Sequence, residues 1–124
     1  MRIIIVDDIF TNRLLIAEIV KSMGHMILEA KNGREALDML QNEGKFDLVL
    51  MDIEMPVMNG IETTRYIRES MPYPLNQIPV VALTAHNPKL FFEDFQDVGF
   101  NQLLTKPYSL EKLKKLIREF ENNP

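Results

Sequence analysis

The chain has 124 residues, 46% of them hydrophobic and 26% charged, with a formal net charge of -4 and no cysteine. That size and composition suit one globular domain, residues 1–124, with a real core. The acidic balance argues against broad nucleic-acid or anionic-membrane binding, and the missing thiols exclude disulfides and thiolate metal sites.

RIIIV (2–6) is a continuous β-branched run closed by Asp7 and Asp8, and it reads as a strand buried on both faces. An acid arrives too soon for a signal peptide or a membrane span, so a soluble, cytoplasmic chain with no membrane contact is expected. Leu15, Ile16, Ile19, Val20 and Met23 then carry helical spacing up to Gly24, and MILE (26–29) is the second strand. Ala36, Leu37 and Leu40 before Gly44 mark the second helix. DLVLM (47–51) is the third strand, and Ile61, Thr64 and Ile67 continue the helical series. The prolines of SMPYPLNQIP (70–79) end that helix. PVVALT (79–84) is the fourth strand, followed by a helix with Phe91, Phe95 and Val98 before Gly99. QLLT (102–105) and a last helix with Leu110, Leu113, Leu116, Ile117 and Phe120 complete five strand-helix units. Strict alternation with continuous apolar strands predicts an α/β fold, a parallel sheet with helices on both sides, each strand buried.

In a doubly wound sheet, ligands gather outside the carboxyl ends of the strands. Asp7 and Asp8 follow the first strand, Asp52 the third and Lys106 the fifth, while Thr84 ends the fourth. Each has a plain structural reading: Asp8 as cap of the first helix, Thr84 as cap of the fourth, Lys106 as a solvated side chain. Capping does not require all of them on one rim. If the first and third strands are neighbours, three carboxylates converge, and they repel unless a cation neutralises them. Oxygen ligands without His or Cys suit a hard ion, and an open cluster fits magnesium better than a calcium cage. Pro56 and Val57 stand where a calcium loop wants a further acid and a turn glycine. A magnesium ion beside a lysine makes a phosphoryl site, with Asp52 as the candidate nucleophile for an aspartyl phosphate.

The runs IIIVDD, LMDIEMPVMNG, PVVALTA and LLTKP, in that order, resemble a two-component response-regulator receiver domain over nearly the whole chain. VDDIFTNRLL and MDIEMPVMNGIETTRYIR are most similar to receivers of hybrid kinases and phosphorelays. The resemblance implies a flavodoxin-like sheet of strand order 2-1-3-4-5 with five helices. It implies Asp52 as phosphoacceptor, Asp7 and Asp8 as the acidic pair that holds Mg2+ directly or through water, and the backbone carbonyl of Glu54 as the other protein ligand. Thr84 would bond the phosphoryl oxygen and Lys106 would pair with it. The implied donor is a phosphohistidine on a sensor histidine kinase or histidine phosphotransfer domain. The chain would be a signalling domain that assists its own phosphorylation and dephosphorylation. Two residues past Asp52 and Thr84, the side chains of Glu54 and His86 are placed to control the lifetime of the phosphate.

One position departs from the family pattern. Many receivers carry Tyr or Phe three residues before the lysine, but here the residue is Leu103, so no ring can swing inward there. In PKLFFEDFQDVGF the stripe Phe91, Phe95 and Val98 leaves Leu90 and Phe92 on flanks that cannot both be buried. With Leu103 and Tyr108 they are expected to form a patch over the fourth helix, fifth strand and fifth helix, for a partner or for self-association. Two other readings compete. A magnesium-dependent phosphatase of the haloacid-dehalogenase kind needs a spaced second acid that Asp7-Asp8-Ile9-Phe10 lacks; a non-phosphorylated receiver scaffold is opposed by the complete acceptor set. No Gly-x-Gly supports flavin or dinucleotide binding. His25 and His86 make no metal pair, the methionines read as core fillers, and Lys112, Lys114, Lys115 and Arg118 read as a solvated helix face.

Overall fold

Ile3 and Ile5 pack toward one face of a central sheet and Ile4 and Val6 toward the other, and all four are fully buried. In the computed structural model, which describes residues 1–122, the order is β1 (Arg2–Val6), α1 (Phe10–Ser22), β2 (Met26–Ala30), α2 (Gly33–Asn42), β3 (Leu48–Asp52) and α3 (Gly60–Ser70). A 3-10 turn (Leu75–Gln77), β4 (Val80–Thr84), α4 (Pro88–Phe95), β5 (Gln102–Thr105) and α5 (Leu110–Asn122) follow. The five strands are parallel in the order β2-β1-β3-β4-β5, as expected.

α1 and α5 cover one face, where Ile16, Val20, Leu113 and Ile117 pack with Ile3, Ile5, Leu50 and Leu83. α2 and α3 cover the other through Ala36, Leu37, Leu40 and Ile67 against Ile4, Val49 and Met51. α4 adds Phe91, which packs with Ile53 and Ala82. Each of these Ile, Leu, Val, Met and Phe side chains contributes roughly 1.5–3 kcal/mol by leaving water, so β3, buried at all five positions, is a rigid base for whatever stands at its end. Asn59 and Glu62 close a reciprocal cap at the start of α3, with N–H donations of 2.8 Å to Asn59 Oδ1 and 3.2 Å to Glu62 Oε1. Among the described residues no helix is long and apolar enough to cross a membrane.

Several expectations are corrected by the packing. β2 is not buried on both faces: Met26 is 65% exposed, because β2 lies at a sheet edge with β1 as its only neighbour. In α1 the buried stripe is Arg13, Ile16, Ala17, Ile19 and Val20, which turns Leu15 out to solvent. Leu110 at the start of α5 is exposed as well. α4 is only eight residues long, so Val98 is buried beyond its end; the expectation that Leu90 and Phe92 cannot both be buried holds, with exposures of 56% and 42%. Leu103 packs with the α4 cluster while Tyr108 packs with the α1–α5 cluster, so Tyr108 does not extend the α4 patch.

Candidate functional site

The register brings the strand ends level. Val6 pairs with Met51, Asp52 with Leu83 and Thr84 with Thr105, so Asp7, Asp52, Thr84 and Lys106 reach one rim. The Lys106 N–H donates to the Thr84 carbonyl at 2.7 Å, which ties the segment after β5 to that rim; the Lys106–Pro107 peptide is cis. Below Asp52 the chain folds back tightly, the Gly60 N–H donating to the Ile53 carbonyl at 2.9 Å. A Cβ at Gly60 would collide with the Asp52 carbonyl oxygen and with Ile53, so only glycine fits. In the same loop Val57 holds φ at 69°, a sparsely populated region for a β-branched residue and one often kept where a site requires it.

Asp7, Asp8 and Asp52 each offer an oxygen, and these oxygens lie within 4.8 Å of one another. Asp7 is buried and Asp8 exposed. Asp7 Oδ1 accepts the Ile9 N–H at 2.9 Å, while Asp7 Oδ2 is buried with no hydrogen-bond partner among the described residues. An orphaned buried carboxylate oxygen is costly. A divalent cation would satisfy it and offset the mutual repulsion, so these residues fit a hard ion such as Mg2+. Lys106 Nζ donates to Asp52 Oδ1 at 2.9 Å. Burial raises the Asp52 carboxyl above its ordinary 3.8; the Lys106 hydrogen bond opposes this, and the charge of Asp7 adds to it. One ammonium does not balance the cluster. Burial first, then Asp7 and Asp52, push the Tyr108 phenol up to about 12, so it stays neutral near the rim.

The plain structural readings of these residues fail one by one. Asn87 caps α4, its Oδ1 accepting from Lys89 at 2.9 Å and Leu90 at 3.3 Å, which leaves Thr84 free of that task. The residue preceding α1 is Ile9, and Asp7 rather than Asp8 holds its N–H. Lys106 reaches Asp52 instead of solvent. Asp8, Ile9, Asp52, Glu54, Thr84, Ala85 and Lys106 line one cleft of about 170 Å³. His86 lies outside it, bonded to Thr84, and His25 stands at the opposite end of the sheet, 3.3 Å from Glu121. A larger apolar cleft of about 360 Å³, between Phe46, Leu75, Ile78 and Phe120, is also at that far end.

Sequence reasoning passed over Arg13. It is 6% exposed, donates from Nη1 to the Asp7 carbonyl at 2.8 Å and from Nε to Glu29 at 3.3 Å, and so holds the acidic loop against α1 and β2. The signal was available: an arginine occupies the helical position three before Ile16 and four before Ala17, where the stripe calls for an apolar residue.

Residues 3–118 match the family model of the response regulator receiver domain. The chain belongs to that receiver-domain family. A receiver domain is a phosphoacceptor of two-component signalling, and the phosphatase alternative has no support in this match. Over 118 residues the receiver is 36% identical to hybrid signal transduction histidine kinase A of Dictyostelium discoideum, covering 94% of this chain and 6% of that protein. The chain therefore spans a small part of that relative. The chemotaxis response regulator CheY4 of Vibrio cholerae superimposes with a TM-score of 0.86 at 28% identity, over 96% of this chain and 97% of that one. The receiver domain of sensor histidine kinase PA1611 from Pseudomonas aeruginosa PAO1 gives 0.86 at 26% identity over 98% of each, and there a magnesium ion is coordinated in the active site cleft.

Proposed function

We propose that Asp52 is the phosphoacceptor of this receiver, taking its phosphoryl group from a phosphohistidine on a sensor histidine kinase or a histidine phosphotransfer domain. The observation that carries this is the buried Asp52 carboxylate, held by Lys106 at 2.9 Å and level with two further acids, one bearing an unsatisfied buried oxygen. Asp7, Asp8 and Asp52, with the Glu54 backbone carbonyl, would hold Mg2+. When bound, that ion neutralises charge on the phosphoryl oxygens.

The chain's own residues supply the rest. A carboxylate oxygen of Asp52 forms the new O–P bond as the P–N bond breaks, and the electron pair stays on the donor imidazole. Lys106 trades its hydrogen bond to Asp52 for one to a phosphoryl oxygen, and Thr84 donates its hydroxyl to another. Arg13 keeps Asp7 in place by holding its carbonyl.

The surroundings of the cleft favour a protein donor over a small substrate. The cleft of about 170 Å³ has room for a phosphoryl group but does not enclose the molecule that delivers it, so the donor's remaining contacts fall on the surface around it. Ile9, just before α1, and Phe10 and Leu14 in its first turns are 50%, 62% and 45% exposed, an apolar border suited to another protein. Membership of the receiver-domain family supports reading the domain as a signalling element, and the complete set of site residues opposes a purely passive scaffold. Leu90 and Phe92 support a second contact, to a partner or another copy, through α4.

Intact mass after acetyl phosphate, with and without Mg2+, tests the assignment. The wild type should gain one phosphoryl group only with the metal, and Asp52→Asn should gain none. A hydroxylamine-labile phosphate on Asp52→Asn would overturn it.

A further inference from the structure

Thr84 and His86 share one hydrogen-bonded unit at the edge of the cleft. Thr84 is 2% exposed, and its Oγ1 accepts the backbone N–H of His86 at 3.1 Å. The same oxygen lies 2.8 Å from His86 Nδ1. A hydroxyl has one hydrogen to give. Among the described residues Nδ1 is the only acceptor that hydrogen finds, and a ring carrying its proton on Nδ1 would make Oγ1 accept twice and leave the O–H of this buried residue without a protein partner.

We infer that His86 is a positioning residue that holds the Thr84 hydroxyl away from the acceptor site, with its neutral ring protonated at Nε2 and its Nδ1 lone pair accepting the Thr84 O–H. While that bond stands, Thr84 has no hydrogen for a phosphoryl oxygen. The bond must break, or its direction must reverse, before Thr84 serves the phosphoryl group on Asp52. His86 is not among the residues lining the cleft, and its link to the site is its hydrogen bonding to Thr84. Its ring centroid is 6.2 Å from that of Phe91, the buried centre of the α4 contact, so the release of Thr84 frees a ring that borders α4. Leu103 provides no ring for such a link, and His86 occupies a position to provide one. The inference rests on the reading of Asp52 as acceptor and Thr84 as donor to the phosphoryl oxygen.

Two measurements test it independently. The nitrogen-15 spectrum of His86 in the metal-free protein, at a pH where the ring is neutral, should show an unprotonated Nδ1 whose resonance shifts in Thr84→Ala; a protonated Nδ1 would overturn the latch. The second uses beryllofluoride with Mg2+ as a mimic of the phosphoryl group. His86→Phe and His86→Ala should each bind it about fivefold more tightly than wild type, the equivalent of one neutral hydrogen bond no longer competing for Thr84. Introduced into Thr84→Ala, the same changes should have no effect. Unchanged affinity in both His86 variants, or an equal gain without Thr84, would reject the proposal. If beryllofluoride binds none of these proteins the acceptor reading fails, and the nitrogen spectrum alone then decides whether the latch exists.

Discussion

Lys106 Nζ lies 2.9 Å from Asp52 Oδ1, joining the first residue after β5 to the last residue of β3 across the end of β4. The pair is unequal in burial, with the Asp52 side chain 6% exposed and that of Lys106 30%. On the proposed assignment, this partly exposed cation can move from the Asp52 carboxylate to a phosphoryl oxygen without leaving either charge stranded. Lys106→Ala should slow phosphorylation by acetyl phosphate at saturating Mg2+ about ten- to a hundredfold, the loss of one charge-assisted hydrogen bond. Lys115→Ala, on the exposed side of α5, should match wild type. Equal rates for the two variants would remove Lys106 from the chemistry.

Asp52 should also cost the fold stability. Its carboxyl is raised by burial in the native state, so the unfolded chain ionises first. Below the ordinary value of 3.8 both states are protonated and the group is neutral to stability. As the pH climbs through the native value the penalty develops in full, and it persists at pH 7. Urea denaturation should therefore find Asp52→Asn more stable than wild type near neutrality, with the gap closing in acid.

Magnesium should relieve the same strain. At a concentration one hundred times its Kd it should stabilise the wild type by about 2.7 kcal/mol, read as a shift in thermal or urea unfolding. Asp7→Asn should lose most of this response, because Asp7 Oδ2 is the oxygen without another partner. A full response in that variant would place the ion elsewhere.

Gly60→Ala places a methyl group against the Asp52 carbonyl. Overpacking of this kind costs about 1–3 kcal/mol, and here the backbone that yields carries the proposed acceptor. Both the unfolding free energy and the phosphorylation rate should fall, whereas Gly24→Ala, where nothing lies within 4 Å of the added atom, should change stability through backbone strain alone and leave the rate as it was.

Two adjacent rings of α4 should behave in opposite ways. Phe91 is 1% exposed and meets the rings of His86, Phe92, Phe95 and Phe100, so Phe91→Ala should cost about 3–5 kcal/mol. Phe92→Ser should leave folding and Asp52 phosphorylation nearly unchanged while weakening self-association or partner binding, measured by sedimentation before and after phosphorylation. Undiminished association in that variant would show that the α4 surface is not used.

Much of this protein can be read in one dimension. Parallel strands follow from apolar runs alternating with helical stripes, and the candidate site residues follow from what stands at the end of each run, because both signals are local. Asp52, Thr84, Lys106 and the Asp7-Asp8 pair were visible for that reason. What only the tertiary structure decided depends on contacts between distant segments. The edge position of β2 exposes Met26, and the rotation of α1 turns Leu15 outward and Arg13 inward. Asn87, not Thr84, caps α4, and that assignment, which leaves the Thr84 hydroxyl to His86, needed the observed start of the helix. The split between a buried Asp7 and an exposed Asp8, and the reach of Lys106 to Asp52, come from strand register and loop path. Those are set when whole elements pack, and no run of neighbouring residues encodes them alone.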